Sequence, residues 1–425
     1  MSMNIAIIIR FLTRTGGAVR EAFMLARELE KRGHRATIYT FAYDPHQCFP
    51  GEFSDIRIKV LQWDYPQWWS RFFRIPIFGT TLQRFLENRK AVQLARLIDP
   101  ATDVLNPHDQ TSAHTAYYFK KLVGPAPSVW MMNDLHIRRW SIFDHPLLKP
   151  PRRSRIKKIV DWLRDWRENQ KFFSAQDKIG VIVQSMAERA KIYLGRPDAA
   201  VVRSGADLER FLYRARNPIL NKRIRICSQG IFYTYRRFED VIEAVKILAD
   251  QGYDPFLTIV GDYGHKDTAR AYHQNLVSLV KKLGIEPRVR FAGVVSEDEL
   301  NRVYYESDVF VFASIQTWGI AIFEAMATGL PVVLSRDAGA GEMLRDGETM
   351  MLARTGDPAD IARAVRTLAD DPLLRARMAD RANQFVRSHI SWTRYADAML
   401  QLFERAVAES RQPRGAETRA SAARF

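Results

Sequence analysis

Cysteine is nearly absent: Cys48 and Cys227 are the two in 425 residues. They lie far apart and carry no metal-ligand spacing, which argues against a disulfide-stapled scaffold or a cysteine zinc site. Both read as reduced structural thiols, a usage that fits a cytoplasmic protein. Long apolar runs are missing too, since none approaches the roughly 20 residues needed to span a bilayer. The opening "MSMNIAIIIRFL" has no basic flank before its apolar run and no small-residue cleavage site. It reads as a first buried strand, not a signal peptide. Acidic residues are in deficit, with 48 Asp and Glu against 64 Lys and Arg, a net charge of +16. Such a field favours anionic partners: nucleic acid, anionic lipid surfaces or phosphorylated small molecules. The sequence has no zinc finger, RNA-binding motif or basic heptad array, which argues against nucleic acid.

What is present is a core-forming chain, 47% hydrophobic and 11% aromatic, long enough for two or three domains. A strand from Asn4 to Ile9, a Gly-containing loop, a helix to about Lys31 and a strand after Gly33 open a doubly wound α/β domain. The alternation returns with a strand near Ile224–Ser228, a helix near Phe238–Asp250 and a strand at Phe256–Val260. "RVRFAGVV", "DVFVFAS" and "LPVVLS" supply further short buried strands. The chain therefore divides into an N-terminal domain 1–205, a hinge 206–222 rich in Gly, Pro and charge, and a C-terminal domain 223–388. A last helix, 389–410, is expected to pack back on the N-terminal domain. The polar 411–425 tail is expected to be disordered. No repeat at a period of 20–50 residues is visible beyond this two-fold likeness.

Open α/β sheets bind ligands at the carboxyl ends of their strands, where helix N-termini present free N–H groups. Two loops are placed for that. "TRTGGAVREA" puts Gly16 and Gly17 between the first strand and its helix, so backbone can approach a ligand closely. The pair lacks the G-x-G-x-x-G spacing of a dinucleotide fold, and a tight turn alone also asks for glycine. "SIQTWGIAIFEAMATGLPVV" reads as strand end, loop, helix and glycine stop. There the N–H groups of Gly319, Ile320 and Ala321 can hold a phosphate, and Glu324, a turn further in, can take a ribose diol. A capping or helix-pairing glutamate is the competing reading. Arg236 and Arg237, after the first strand of the second half, suit a diphosphate; a solvated basic turn is the alternative.

These features in this order resemble glycosyltransferase family 4. The N-terminal "TGGAVREAFMLARELEKRGHRATIYT" is similar to that family's opening Gly-Gly loop, helix and "RGH" turn. "VVRSGADLERF", "LTIVGD", "EAMATGLPVV", "AGAGEMLRDGE" and the closing "SW" follow in family order. The resemblance implies α/β GT-B architecture: two Rossmann-like doubly wound domains facing a central cleft, acceptor side first and donor side second. It implies retaining, metal-independent sugar transfer from a nucleotide-diphosphate sugar to a glycan or lipid-linked acceptor, with no cofactor besides that co-substrate. The absence of a D-x-D pair at a strand end agrees with metal independence.

Carried over by position, Glu324 matches the second Glu of the E-x7-E motif, which binds ribose, and Arg236 the basic residue on the donor diphosphate. Gly230 and Gly261 join the donor-binding set, and Gly339 and Glu342 match the Gly-Gly-x-Pro-Glu loop. Three positions depart from the pattern. Gln316 replaces the first Glu, the position that addresses donor-sugar hydroxyls, and with Arg236 is the catalytic assignment. Ile231 replaces a second phosphate-binding Arg. Asn133 stands where many members carry an active-site His. His108 and His136, nearby in sequence, join Asn133 as candidates for acceptor or sugar contact, against a structural role. The rival readings are a non-catalytic nucleotide-sugar or glycan binding protein on the same scaffold, and a nucleotide-sugar epimerase.

Two inserts, near 60–90 and 136–176, mix aromatic and basic residues, with twelve Lys/Arg against five Asp/Glu between residues 138 and 178. They suit peripheral contact with an anionic membrane at the inner, cytoplasmic face. The alternative is aromatic packing on the core under a solvated basic surface. With a membrane-bound acceptor, the role implied is cell-envelope polysaccharide synthesis.

Overall fold

The computed structural model describes residues 2–62, 78–133, 145–148, 155–264, 266–315 and 318–412. Gln316, His136, parts of both basic-aromatic inserts (63–77, 136–144 and 149–154) and the tail beyond 412 lie outside the described residues.

The N-terminal half opens with β1 (Asn4–Ile8), β2 (Phe11–Leu12), α1 (Gly17–Lys31), β3 (Arg35–Thr40), β4 (Ala42–Tyr43) and β5 (Ile58–Val60). It continues through α2 (Phe78–Leu97), β6 (Val104–Pro107), α3 (Gln110–Leu122), β7 (Val129–Met132) and α4 (Arg155–Glu168). It closes with β8 (Lys178–Val181), α5 (Gln184–Leu194) and β9 (Ala200–Val201). Strands β5-β3-β1-β6 form one parallel sheet and β7-β8-β9 another. A Leu105–Ser128 bridge joins the two at the β6/β7 seam. Their interiors, such as Ile5, Ile7 and Ile8 in β1 and Val129 to Met132 in β7, are fully buried. Such continuous apolar runs belong to strands covered on both faces.

The C-terminal half holds β10 (Arg223–Gln229), α6 (Phe238–Asp250), β11 (Asp254–Val260), α7 (Asp267–Leu283) and β12 (Val289–Gly293). Then come α8 (Glu297–Glu306), β13 (Val309–Phe312), α9 (Ile320–Ala327), β14 (Val332–Ser335) and β15 (Met351–Ala353). Helices α10 (Pro358–Asp370), α11 (Pro372–His389) and α12 (Trp392–Arg411) follow. The sheet order β12-β11-β10-β13-β14-β15 is parallel throughout. The order reverses between β10 and β13, which opens a crevice at their carboxyl ends. In the N-terminal sheet the reversal falls between β1 and β6.

Helix starts follow local chemistry. Ser296, Asp357, Asp371 and Ser391 each accept the backbone N–H three residues on, capping α8, α10, α11 and α12. Pro at the first turn of α10 and α11 adds a preset φ where no N–H is missed. The helices that face the crevices, α1 and α9, have no side-chain cap.

The connection from 202 to 222 is nailed to the C-terminal half by Arg216. Its guanidinium donates to the carbonyls of Tyr304, Tyr305 and Ser307 at the end of α8, and to Thr328 and Gly329 at the end of α9. Two helix C-termini thus share one cation, the charge their dipoles favour. Helix α12 crosses back to the N-terminal half. It buries Trp392, Tyr395, Ala396, Met399, Leu402, Phe403 and Ala406, one stripe at helical spacing. Arg32–Asp397 and Lys178–Glu409 ion pairs, 2.8 and 2.7 Å, tie its two ends. A Cβ on Gly205 would sit 2.5 Å from the Trp392 nitrogen, so glycine is required where the connection passes under α12.

Candidate active site

The C-terminal crevice is lined first by glycine. Gly230 and Gly261, directly after β10 and β11, abut so closely that a Cβ on Gly261 would lie 1.9 Å from the Gly230 carbonyl oxygen. Arg236 ends the short turn Thr234–Arg236 and lies on Gly230, where a Cβ would meet its Nε at 2.9 Å. Two hydrogen bonds hold this turn to the end of β13: Ile315 N–H donates to the Tyr235 carbonyl at 2.9 Å and the Ser314 hydroxyl to the same oxygen at 3.3 Å. Phe312 is the shared neighbour of both loops. Its ring centroid is 5.5 Å from the Arg236 guanidinium carbon, and its edge would be 2.8 Å from a Cβ on Gly319. With φ at +76°, Gly319 is doubly constrained to be glycine.

Gly319 caps α9, whose first turn carries no acid, so the N–H groups of Ile320 and Ala321 face the crevice with the positive end of the helix dipole. Glu324 is buried, 7% exposed, beside the Tyr304 hydroxyl, which donates to Gln229 Oε1. Burial pushes its carboxyl up to about 7, against the opposing pull of Arg20 and Arg210. A carboxyl poised there can ionise on meeting a diol. Trp318 packs on Phe323, ring centroids 4.7 Å apart, and seals the entry to α9.

Arg237 is placed differently from Arg236. Its φ is +55°, it forms the N-cap of α6, and its guanidinium pairs with Asp240 at 2.8 Å and Glu239 at 2.9 Å. That side chain is held by its own helix.

The N-terminal half supplies the opposite wall. Gly16 caps α1 and Gly17 begins it; a Cβ on Gly17 would meet Ile320 Cδ1 at 3.5 Å, so the two uncapped helix starts face each other across the cleft. Arg14 pairs with Asp262, beyond β11, at 3.4 Å. Arg20, 7% exposed on α1, contacts Glu52 at 3.4 Å and Asp207 at 3.7 Å, and pairs with Glu297 of α8, which also binds Arg210. This network beside Glu324 was not anticipated from the sequence. Its partners are up to 277 residues apart, and only the "GAVRE" spacing of Arg20 one turn behind Gly16 offered a signal.

On the other flank, Gly339–Glu342 forms a short turn, and the Glu342 carboxylate accepts from Gln184 and Ser185 N–H at 2.7 and 3.0 Å. It caps α5 from the opposite half, where Val183 offers no side-chain cap. His145 Nε2 meets Asp337 Oδ2 at 3.0 Å.

His108, beyond β6, is 1% exposed; its Nε2 lies 2.8 Å from Asn106 Oδ1. Burial pushes it down to about 3, so it stays neutral at physiological pH. Its Nδ1 and both amide atoms of Asn133, beyond β7, have no hydrogen-bond partner. Both residues sit at the ends of neighbouring strands of the N-terminal half. Cys48 and Cys227 are buried free thiols, pushed by burial up to about 11 and about 12, and inert as nucleophiles. Among the described residues no His, Cys, Asp and Glu group could hold a metal ion.

Residues 209–385 match the family model described as "Glycosyl transferases group 1". The lipopolysaccharide core biosynthesis glycosyltransferase LpsE of Rhizobium meliloti is 34% identical over 178 residues, 42% of this chain and 48% of that protein. Glycogen synthase of Mycobacterium tuberculosis is 29% identical over 220 residues, 52% of this chain and 51% of that protein. The chain thus spans about half the length of these curated relatives. The solved structure of Anabaena Alr3699/HepE in complex with UDP and glucose matches with a TM-score of 0.70 at 18% identity, covering 95% of this chain and 99% of that one. At that identity the likeness establishes the fold: two Rossmann-like domains in the GT-B arrangement.

Proposed function

We propose that this chain is a glycosyltransferase of the kind its sequence resembles, family 4, moving a sugar from a nucleotide-diphosphate sugar to a glycan or lipid-linked acceptor in cell-envelope polysaccharide synthesis. One observation carries the reading: Arg236, the uncapped start of α9 and the buried Glu324 share one crevice, faced by Gly17 across the cleft. The diphosphate would lie against the Ile320 and Ala321 N–H groups, Gly230 and Gly261 leaving room for it, with Arg236 as the counter-charge. Glu324 would take the ribose diol. The sugar would point toward Gln316 and the N-terminal wall, where His108 and Asn133 offer neutral hydrogen-bonding groups to sugar or acceptor. Relatives bound to UDP and glucose, or named for lipopolysaccharide core synthesis, support this donor and acceptor class.

Transfer breaks the anomeric carbon–oxygen bond to the diphosphate and forms a bond from the acceptor oxygen on the same face. The acceptor proton passes to the departing phosphate oxygen. Charge grows on the diphosphate as the sugar becomes oxocarbenium-like, and Arg236 with the α9 dipole stabilises it without a metal. Gln316 keeps hydrogen-bonding capacity without a carboxylate's charge, so Gln316→Glu is expected to change donor preference or rate. Equal kinetics for both forms across several nucleotide sugars would remove Gln316 from the mechanism.

The second reading, a non-catalytic nucleotide-sugar binding protein, is favoured by Gln316 and Ile231, which replace charged positions of the motif. A transfer and hydrolysis assay over a nucleotide-sugar panel, with Glu324→Ala and Arg236→Ala as controls, separates them. Turnover lost in both variants supports the enzyme; binding without turnover in the wild type supports the rival. Conversion of the donor's sugar stereochemistry with no acceptor present would mean an epimerase instead.

A further inference from the structure

Helix α4 is built inside out. Asp161 and Asp165 are 5% and 4% exposed, while Ile159, Val160, Trp162, Leu163 and Trp166 are 46–59% exposed. Positions 159, 162, 163 and 166 follow the i, i+3, i+4, i+7 rule, so four of these side chains form one stripe along the outer face. The acids point the other way: Asp161 pairs with Arg164 at 2.9 Å, and Glu168 reaches Arg84 of α2 at 3.1 Å. Among the described residues, the charges left exposed around the stripe are all positive: Arg155, Lys158, Arg167 and Lys171. Five large apolar side chains on one exposed face are not scattered surface residues, and such a patch marks an interaction site.

The geometry points to an anionic lipid surface as the occupant of this face. Two tryptophans in the stripe suit the headgroup boundary, where their rings are apolar and their N–H groups stay wet. The surrounding cations, in a chain of net charge +16, match anionic headgroups. Helix α4 would lie flat with its apolar stripe at the acyl boundary, an interfacial helix and not a span. Among the described residues no helix is long and apolar enough to cross a membrane, so this surface would hold the protein peripherally. The inference extends the proposed function by setting the N-terminal wall of the cleft beside the surface where a lipid-linked acceptor would be held. It does not depend on turnover.

Vesicle flotation of the full chain tests it, using phosphatidylcholine vesicles and vesicles in which about a third of the lipid is phosphatidylglycerol. The wild type is expected to float with the anionic vesicles, with blue-shifted tryptophan fluorescence, and to be released at high salt. Trp162→Ser/Trp166→Ser is expected to lose at least about tenfold in binding. Lys158→Glu, at an exposed rim position, should weaken binding several-fold without altering thermal melting, which keeps the test valid if the tryptophan variant folds poorly. Equal flotation with neutral vesicles, no flotation, or wild-type flotation of both variants would overturn the proposal. So would concentration-dependent self-association of the wild type that the tryptophan variant abolishes, since the stripe would then bind a second copy. Nucleotide-sugar hydrolysis measured without lipid should be unchanged in both variants, so failure here leaves the transfer reading standing.

Discussion

Helices α1 and α9 enter the cleft from opposite halves in the same way. Each starts on a glycine, lacks a side-chain cap and an acid in its first turn, and buries a glutamate five residues beyond that glycine. Yet Glu21, in α1, lies against Tyr395 of α12, raising the phenol that burial has already pushed up. Glu324, in α9, lies among Tyr304, Arg20 and Arg210, on the side where the halves meet. The same local design therefore has two uses. Under α12 the acid belongs to the packing of the C-terminal helix; at the meeting of the halves it is left for a ligand.

The sharpest contrast is in the cation that accompanies α9. Arg236→Ala removes the counter-charge to the leaving diphosphate, and kcat is expected to fall by about 10²–10³ with thermal stability unchanged. Arg237→Ala should instead lower stability by roughly 1 kcal/mol, through the lost α6 pairing, and leave donor KM within about twofold. Steady-state kinetics and melting curves on the two variants read this directly. If Arg237→Ala costs more activity than Arg236→Ala, the assignment of the crevice cation is wrong.

Next comes the glutamate pair. Glu324→Gln is expected to weaken donor binding about 10- to 100-fold, the range for a hydrogen bond to a charged group. Glu21→Gln should leave donor affinity unchanged and act on melting alone. Stability moves the other way for Glu324. Its folded pKa stands above the unfolded value, so folding is disfavoured progressively as pH rises from about 4.5 to about 7, and the full penalty applies above that. Glu324→Gln should therefore melt higher than the wild type at pH 8, with the difference vanishing near pH 4.

A smaller effect follows from the same group. If the ribose diol needs the carboxylate, donor KM should fall several-fold as pH rises through about 7. Arg20 pulls that carboxyl down, so Arg20→Met should move the inflection to higher pH. A KM profile flat from pH 6 to 8, or an Arg20→Met profile moved to lower pH, would separate Glu324 from the donor.

How much of this was legible in the sequence depends on the range of the interactions. Helix α9, its glycine start and the stop at Gly329 were readable because caps and turns are local. Both doubly wound halves were readable because strand runs and glycine turns alternate along the chain. The different fates of Arg236 and Arg237 were not: they rest on one left-handed residue, which rotates Arg237 onto Asp240. The Arg20–Glu297–Arg210 network and the capping of α5 by Glu342 join distant segments and leave no periodic trace. The aromatic-basic insert was visible by composition, but composition does not say which face of α4 turns outward. Buried Asp161 beside exposed Trp162 reverses the usual expectation.

The central claim is that α9, and not its counterpart α1, holds a nucleotide-diphosphate sugar through its buried glutamate. Titration of a nucleotide-sugar panel into the wild type, Glu21→Gln and Glu324→Gln at pH 8 tests it most directly. The account predicts one preferred donor that binds the wild type and Glu21→Gln equally and Glu324→Gln at least about tenfold more weakly. Equal binding to Glu324→Gln, or no binding of any nucleotide sugar to the wild type, would contradict it.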